Sequence, residues 1–284
     1  MAHSVLFENL ATTNGKFVGQ AILNVKGTLN SLTLEMVDLL LDQLAVWQSD
    51  ESVVAIFIRG AGEKALCAGG DVQALHQSSV SQPGGPCEYA ETFFEREYRL
   101  DYLLHTYCKP TIVWGHGIVM GGGLGILAAC KHRIVTEKTR IAMPEVTIAL
   151  FPDVGGSYFL NKMPGYCGRF LALTAASINA VDSVYAGLAD YCLNHEQYDR
   201  LCETLLQLSW SGDRLEDDRL ISRAIQELGD SAIEKMPAGN LESHQTQINH
   251  LCEGDDVAVI ADRIAALTTD DKWLSKAKVG LAGG

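Results

Sequence analysis

With 35 acidic against 22 basic side chains and a formal charge of −13, the 284-residue chain is poorly suited to a nucleic-acid partner, and an anionic ligand must be met by local N–H groups or cations. Its 47% hydrophobic residues allow one large domain, or a core with an appendage, while no apolar run approaches the ~20 residues that cross a bilayer. The eight cysteines are scattered, with no C-x-x-C pair and no Cys/His cluster at metal spacing, so reduced core thiols are expected rather than a metal or disulfides. The N-terminal segment has neither a secretory nor a transit pattern, which makes the cytoplasm the expected location.

Phe17 to Val25 is apolar and β-branched between glycines and reads as a strand. Thr33 is a suitable N-cap for a helix that puts Leu34, Val37, Leu40, Leu41, Leu44 and Trp47 at helical spacing. Val53 to Arg59 is a continuous apolar run of the kind found in strands covered on both faces. A glycine-rich turn, Lys64 to Asp71, then delivers free N–H groups to a helical segment over Val72 to His76, with Asp71 placed to cap it. Ser78 to Pro86 reads as a loop, either a flap over a ligand or, the better reading, a surface connection. Cys87 to Tyr107 reads as a long helix whose Glu95 and Glu97 are most simply solvated, with a place for one of them facing a site left open.

Pro110 opens a strand over Thr111 to Trp114; a second glycine-rich turn, a helix over Leu124 to Cys130 and a strand over Ile134 to Thr136 follow. Strands alternating with helices imply parallel pairing through right-handed crossovers, hence an α/β core. After Pro164 the pattern is helical, over Arg169 to Ala175, Ala180 to Gly187, His195 to Leu208, Leu215 to Leu228 and Val257 to Leu267, with a short strand at Ala189 to Leu193. The expected division is a core over 1–162 and a helical C-terminal region over 163–284.

Two readings compete for the second turn. Gly115, Gly117 and Gly121 follow a strand and open a helix, as in a dinucleotide-binding unit, yet the spacing is G-x-G-x-x-x-G and leaves Glu145 and Asp153 without a task. Alternatively, the turns at Ala68-Gly69-Gly70 and Gly121-Gly122-Gly123 each aim one N–H at a single carbonyl oxygen, with Glu145 and Asp153 supplying a base or a nucleophile. Taken alone, Asp153 serves equally as an N-cap for a helix near Gly155, and Glu145 as a first-turn or surface acid. His116, beside the turn, reads as a hydrogen-bonded structural histidine.

The motifs CAGGD (67 to 71), MGGGLG (120 to 125) and MPEVTIALFPDVGGSYFL (143 to 160), with FFEREYRLDYLLHTYCKP (93 to 110) and NLESH (240 to 244), resemble the crotonase (enoyl-CoA hydratase) superfamily and within it the 3-hydroxyisobutyryl-CoA hydrolase branch. The resemblance implies a ββα spiral core, an oxyanion hole from the N–H groups of Gly70 and Gly122, and catalysis by Glu145 with Asp153. Hydratases of the superfamily carry a further glutamate where this chain has Gly125, which favours hydrolysis over hydration. The resemblance further implies an acyl-CoA substrate, coenzyme A being part of it and no other cofactor being needed. Its adenine would meet the Ala68 backbone and its phosphates Lys26. Relatives of that branch continue past the segment matching Trp273 to Gly284, so the C-terminal region is expected to be incomplete. A homo-oligomer is left open. Enoyl-CoA hydration or isomerisation, and a catalytically silent CoA-ester binding protein, are the alternatives.

Overall fold

The protein is described here from a computed structural model, which defines residues 3–229 and 235–282. The chain opens with β1 (Val5–Ala11) and β2 (Phe17–Leu23), an antiparallel pair, and then α1 (Leu34–Ser49), whose first turn is capped by Thr33 Oγ1 accepting from Met36 N–H at 3.2 Å. A repeating pattern follows. β3 (Val53–Gly60) and β4 (Ala65–Cys67) precede α2 (Val72–Ser81) and α3 (Glu88–His105). β5 (Thr111–Gly115) and β6 (Ile118–Met120) precede α4 (Gly122–Ala129), and β7 (His132–Thr136) and β8 (Arg140–Ala142) complete a third repeat.

The first strand of each repeat joins one sheet and the second joins another. The large sheet has the order β1-β2-β3-β5-β7, and is extended beyond β7 by β9 (Tyr191–Leu193); the small sheet is β4-β6-β8, and every pair apart from β1–β2 is parallel. This is a mixed α/β spiral with a helical C-terminal region, in keeping with the expectation from sequence. Its helices are α5 (Gly156–Phe159), α6 (Cys167–Thr174), α7 (Ala180–Tyr185), α8 (Tyr198–Gln207), α9 (Arg214–Gly229), α10 (Leu241–Cys252), α11 (Val257–Ala265) and α12 (Lys272–Ala282).

Both faces of the large sheet are covered, which is why β3 carries an unbroken apolar run. On one face α8 and α9 bring Leu201, Leu205, Ile221 and Ile225 onto Phe57, Ile112 and Trp114. On the other, one continuous core joins α1, α3 and α4 to α6, α10, α11 and α12 through Met143, Phe170, Leu241, Ile248, Ile264 and Leu274.

Several elements differ from the sequence reading. The three-residue strands β4, β6 and β8 are too short for a period-2 pattern; β4 and β6 lie in stretches that read as glycine-rich turns, and β8 in one that reads as no element. The Ser78–Pro86 loop begins later than expected, because α2 runs on to Ser81 with no glycine or proline to stop it before Pro83. His195 to Leu208 is a 3-10 turn over His195–Gln197 followed by α8, and α10 and α12 are additional helices.

α4 packs tightly on the small sheet at Gly123, where an added methyl would meet Cys67 Cβ at 2.8 Å and crowd the Cys67 carbonyl. Substituting Gly123→Ala therefore forces α4 away from β4. Calorimetry is expected to show a lower Tm, corresponding to an overpacking loss of roughly 1–3 kcal/mol.

Candidate active site

The small sheet decides where the site is. β4 pairs with β6 (Ala65↔Ile118, Cys67↔Val119) and β6 with β8 (Met120↔Ala142), so three parallel strands release their C-terminal ends side by side. Those ends continue as Ala68–Gly70, Gly121–Gly122 and Met143–Glu145. Both turns need glycine: Gly69 has φ 104° and Gly121 has φ 47°. The turns touch, since a methyl on Gly69 would lie 3.8 Å from Gly122 N. Gly122 is the first residue of α4, where a backbone N–H has no intrahelical acceptor. Among the described residues, neither the Gly70 nor the Gly122 N–H donates a hydrogen bond to the protein.

The strand ends border a cavity of about 910 Å³, lined by Ala68, Gly70, Glu97, Gly122, Glu145 and Asp153 together with apolar walls from α2 and α3. Five of the six candidate residues named from the sequence are thus brought together. Lys26 is not: it lies in an exposed 3-10 turn (Lys26–Thr28), where its methylenes border Gly62. His116 is buried, and its Nε2 lies 2.9 Å from the Gly62 carbonyl oxygen, a structural placement.

Glu145 begins a 3-10 turn (Glu145–Ile148) that ends at the left-handed Ala149, and it is 5% exposed. One carboxyl oxygen would be 3.0 Å from a methyl on Gly121, and the other has no hydrogen-bond partner. Burial, with a smaller contribution from the Asp153 charge, pushes its pKa up to about 7. Asp153 is not a helix cap. The residue at the cap of α5 is Gly155, and Asp153 Oδ2 instead accepts from Tyr98 O–H at 2.7 Å. Burial raises the Asp153 pKa against the opposing effect of that hydrogen bond.

Glu97 takes the less favoured of the two sequence readings: it faces the site instead of solvent. It is 2% exposed, its Oε1 has no partner, and it packs against the bare backbone of Gly122. The signal was in the spacing: Phe93, Glu97, Leu100 and Leu104 form the buried stripe of α3, at intervals of four, three and four residues. Burial first, then the charges of Asp153 and Glu145, push its pKa up to about 8. One turn further along α3, both carboxyl oxygens of Asp101 are buried without a partner, and burial, then Glu97 and Asp153, raise that group well above the usual carboxylate range. Among the described residues no Lys, Arg or His forms an ion pair with any of these four acids.

Four partly or fully buried carboxyls lie close together with no ion-pair partner among the described residues, so they cannot all be ionised at neutral pH. The arrangement offers a neutral carboxyl donor at Glu97, a carboxyl titrating near neutrality at Glu145, and unused N–H groups beside both. No group of three or more His, Cys, Asp or Glu among the described residues is placed to hold a metal ion.

A family model described as Enoyl-CoA hydratase/isomerase matches residues 18–283. The chain belongs to that family. It is 35% identical over 263 residues to the human mitochondrial 3-hydroxyisobutyryl-CoA hydrolase, an alignment covering 93% of this chain and 65% of the relative. It is also 40% identical over 187 residues to the small ribosomal subunit protein mS47 of Neurospora crassa, covering 66% of this chain and 37% of that protein. The chain thus spans less than two-thirds of the length of either curated relative. Among solved structures, a carnitinyl-CoA dehydratase from Mycobacterium thermoresistibile superposes with a TM-score of 0.80 at 34% identity, covering 99% of this chain and 75% of that one. These relatives establish the crotonase fold and carry three different functional names. No helix among the described residues is long and apolar enough to cross a membrane.

Because folding favours neutral Glu97, the stability this group contributes is intact below about pH 4, its unfolded range, and is lost as pH rises through about 8. Glu97→Gln keeps the shape and cannot ionise. In denaturant titrations its stability advantage over the parent is expected to grow between pH 5 and pH 8.5 by roughly 2–4 kcal/mol, at about 1.4 kcal/mol per pH unit.

Proposed function

We propose that the chain is a CoA-thioester hydrolase acting on 3-hydroxyisobutyryl-CoA, an intermediate of valine breakdown. The observation that carries this reading is the convergence of Glu145 and Asp153 with Gly70 and Gly122 on one cavity. In this reading the thioester carbonyl oxygen sits between the Gly70 and Gly122 N–H groups, an oxyanion hole that stabilises the negative charge developing there. Glu145, as the carboxylate, either attacks the carbonyl carbon, forming an anhydride that water then hydrolyses, or takes a proton from the attacking water; in both routes the C–S bond breaks and coenzyme A departs as its thiolate. Asp153, fixed by Tyr98, accepts from the substrate hydroxyl, while neutral Glu97 donates to the bound acyl group. The Ala68 backbone receives the adenine. Lys26 remains a candidate for the phosphates only where they extend past the cavity mouth.

Coenzyme A enters as part of the substrate, and the chemistry requires no other cofactor. The name of the human relative supports the substrate assignment. A cytoplasmic location and assembly into a homo-oligomer belong to the same proposal; the human relative is named mitochondrial, and fractionation and sedimentation test these two points.

Hydration of an enoyl-CoA is the second reading, favoured by Glu97, a second carboxyl beside Gly122 although position 125 is glycine. Incubation with 3-hydroxyisobutyryl-CoA and crotonyl-CoA, following thiol release and enoyl absorbance separately, tells them apart. Loss of absorbance without thiol sinks the hydrolase. Tight CoA-ester binding with neither signal favours a silent binder, a role compatible with the ribosomal relative.

For the hydrolase, Glu145→Gln is expected to lower kcat by 10²–10⁴, roughly the contribution of a positioned base. The pH profile of kcat/KM should rise through about 7 as Glu145 ionises and fall above about 8 as Glu97 loses its proton. Glu97→Gln retains a neutral donor, so it should abolish the alkaline fall and keep the acidic rise.

A further inference from the structure

The position that separates this chain from two-glutamate hydratases is physically occupied. A methyl on Gly125 would lie 2.7 Å from Val154 Cβ and 2.9 and 3.0 Å from the two carboxyl oxygens of Asp101. The 152–156 segment thus presses Val154 onto bare backbone of α4 from one side, while α3 presses Asp101 onto it from another. Room for a side chain at 125 exists only if one of them moves.

Val154 is itself unusual. It is 4% exposed and adopts φ 42°, and it is the only β-branched residue among the described non-glycine residues with positive φ. Branching at Cβ makes the left-handed region especially unfavourable, so surrounding packing must hold the conformation. Gly155 follows with φ 83°, and the two left-handed residues reverse the chain directly after Asp153. The reversal leaves Asp153 bordering the cavity, with Oδ2 accepting from Tyr98 O–H at 2.7 Å.

We propose that Gly125 and Val154 form a joint that positions Asp153: Val154 docks in the socket left by the missing side chain, and its strained backbone aims the preceding carboxylate into the site. Glycine at 125 is then a steric requirement of the Asp153 arrangement, and a larger residue there and a correctly placed Asp153 exclude one another. The inference rests on the reading above, in which Asp153 acts on the bound thioester.

The test compares Gly125→Ala, Val154→Gly, Asp153→Asn and their combinations in the full chain, by thiol release from 3-hydroxyisobutyryl-CoA and by Tm. Gly125→Ala is expected to lower kcat by roughly 10- to 100-fold, the cost of an ångström-scale misplacement, with KM changed far less. Val154→Gly should also lower kcat, although glycine suits the left-handed backbone and spares the fold that strain. The exchange variant Gly125→Ala/Val154→Gly restores a carbon-on-glycine contact and should recover most of the rate. In an Asp153→Asn background either single change should have little further effect. Undiminished effects in that background, or a parental rate in folded Gly125→Ala, overturn the joint. Should Asp153→Asn itself hydrolyse at the parental rate, the proposed role of Asp153 fails instead. The joint is then decided by crystal structures of the single variants: Asp153 leaving the Tyr98 hydroxyl supports it, and an undisplaced carboxylate refutes it. Where Gly125→Ala does not fold, Val154→Gly and the exchange variant carry the same comparison.

Discussion

The site depends on the parallel pairing of three strands of three residues each. β4, β6 and β8 are too short to contribute much core, yet their register places the ends of three successive repeats at one edge. Each repeat thereby supplies one part: a glycine turn at Gly69–Gly70, a second at Gly121–Gly122, and the acid-bearing 3-10 turn at Glu145. The residues are far apart in sequence because the chain passes through the large sheet and at least one helix between consecutive visits. A one-residue slip in any of these ladders would exchange inward and outward faces and scatter the ends.

Electrostatics sharpens what the geometry offers. Burial dominates the titration of Glu97, Asp101, Glu145 and Asp153 alike, and mutual repulsion adds to most of them. Depth and local hydrogen bonding then separate the groups. Glu97, walled in by α3 and α4, holds its proton to a higher pH than Glu145, while the Tyr98 hydroxyl favours the ionised form of Asp153. Donor and acceptor carboxyls are thus set apart by differences in burial and hydrogen bonding.

The large elements were legible in the sequence because each carries a strong local signal. α1 has its Thr33 cap and a Leu/Trp stripe, β3 an unbroken apolar run, and the glycine turns a density that few other structures require. The convergence of the two turns, by contrast, is a property of strand pairing between segments some fifty residues apart, and the resemblance to a family stood in for it. Glu97 was misjudged because charge was weighed above position: its place on the buried stripe of α3 was readable, but its neighbours Glu95 and Arg96 are partly or fully exposed and made the whole stretch look solvated. Val154 carried no local signal at all, since a positive φ at a β-branched residue contradicts propensity and arises only from tertiary packing. Lys26 was assigned by resemblance to a role for which its side chain lies outside the cavity.

That no basic side chain among the described residues pairs with the four acids also bears on how a ligand would arrive. An anionic ligand such as the acyl-CoA proposed above would approach a chain of formal charge −13 through a cavity lined by carboxyls. Repulsion over that distance is screened by mobile ions, with a Debye length of about 8 Å at physiological ionic strength. If that proposal holds, added salt would quicken capture of the ligand, the reverse of enzymes that steer their substrates by opposite charge.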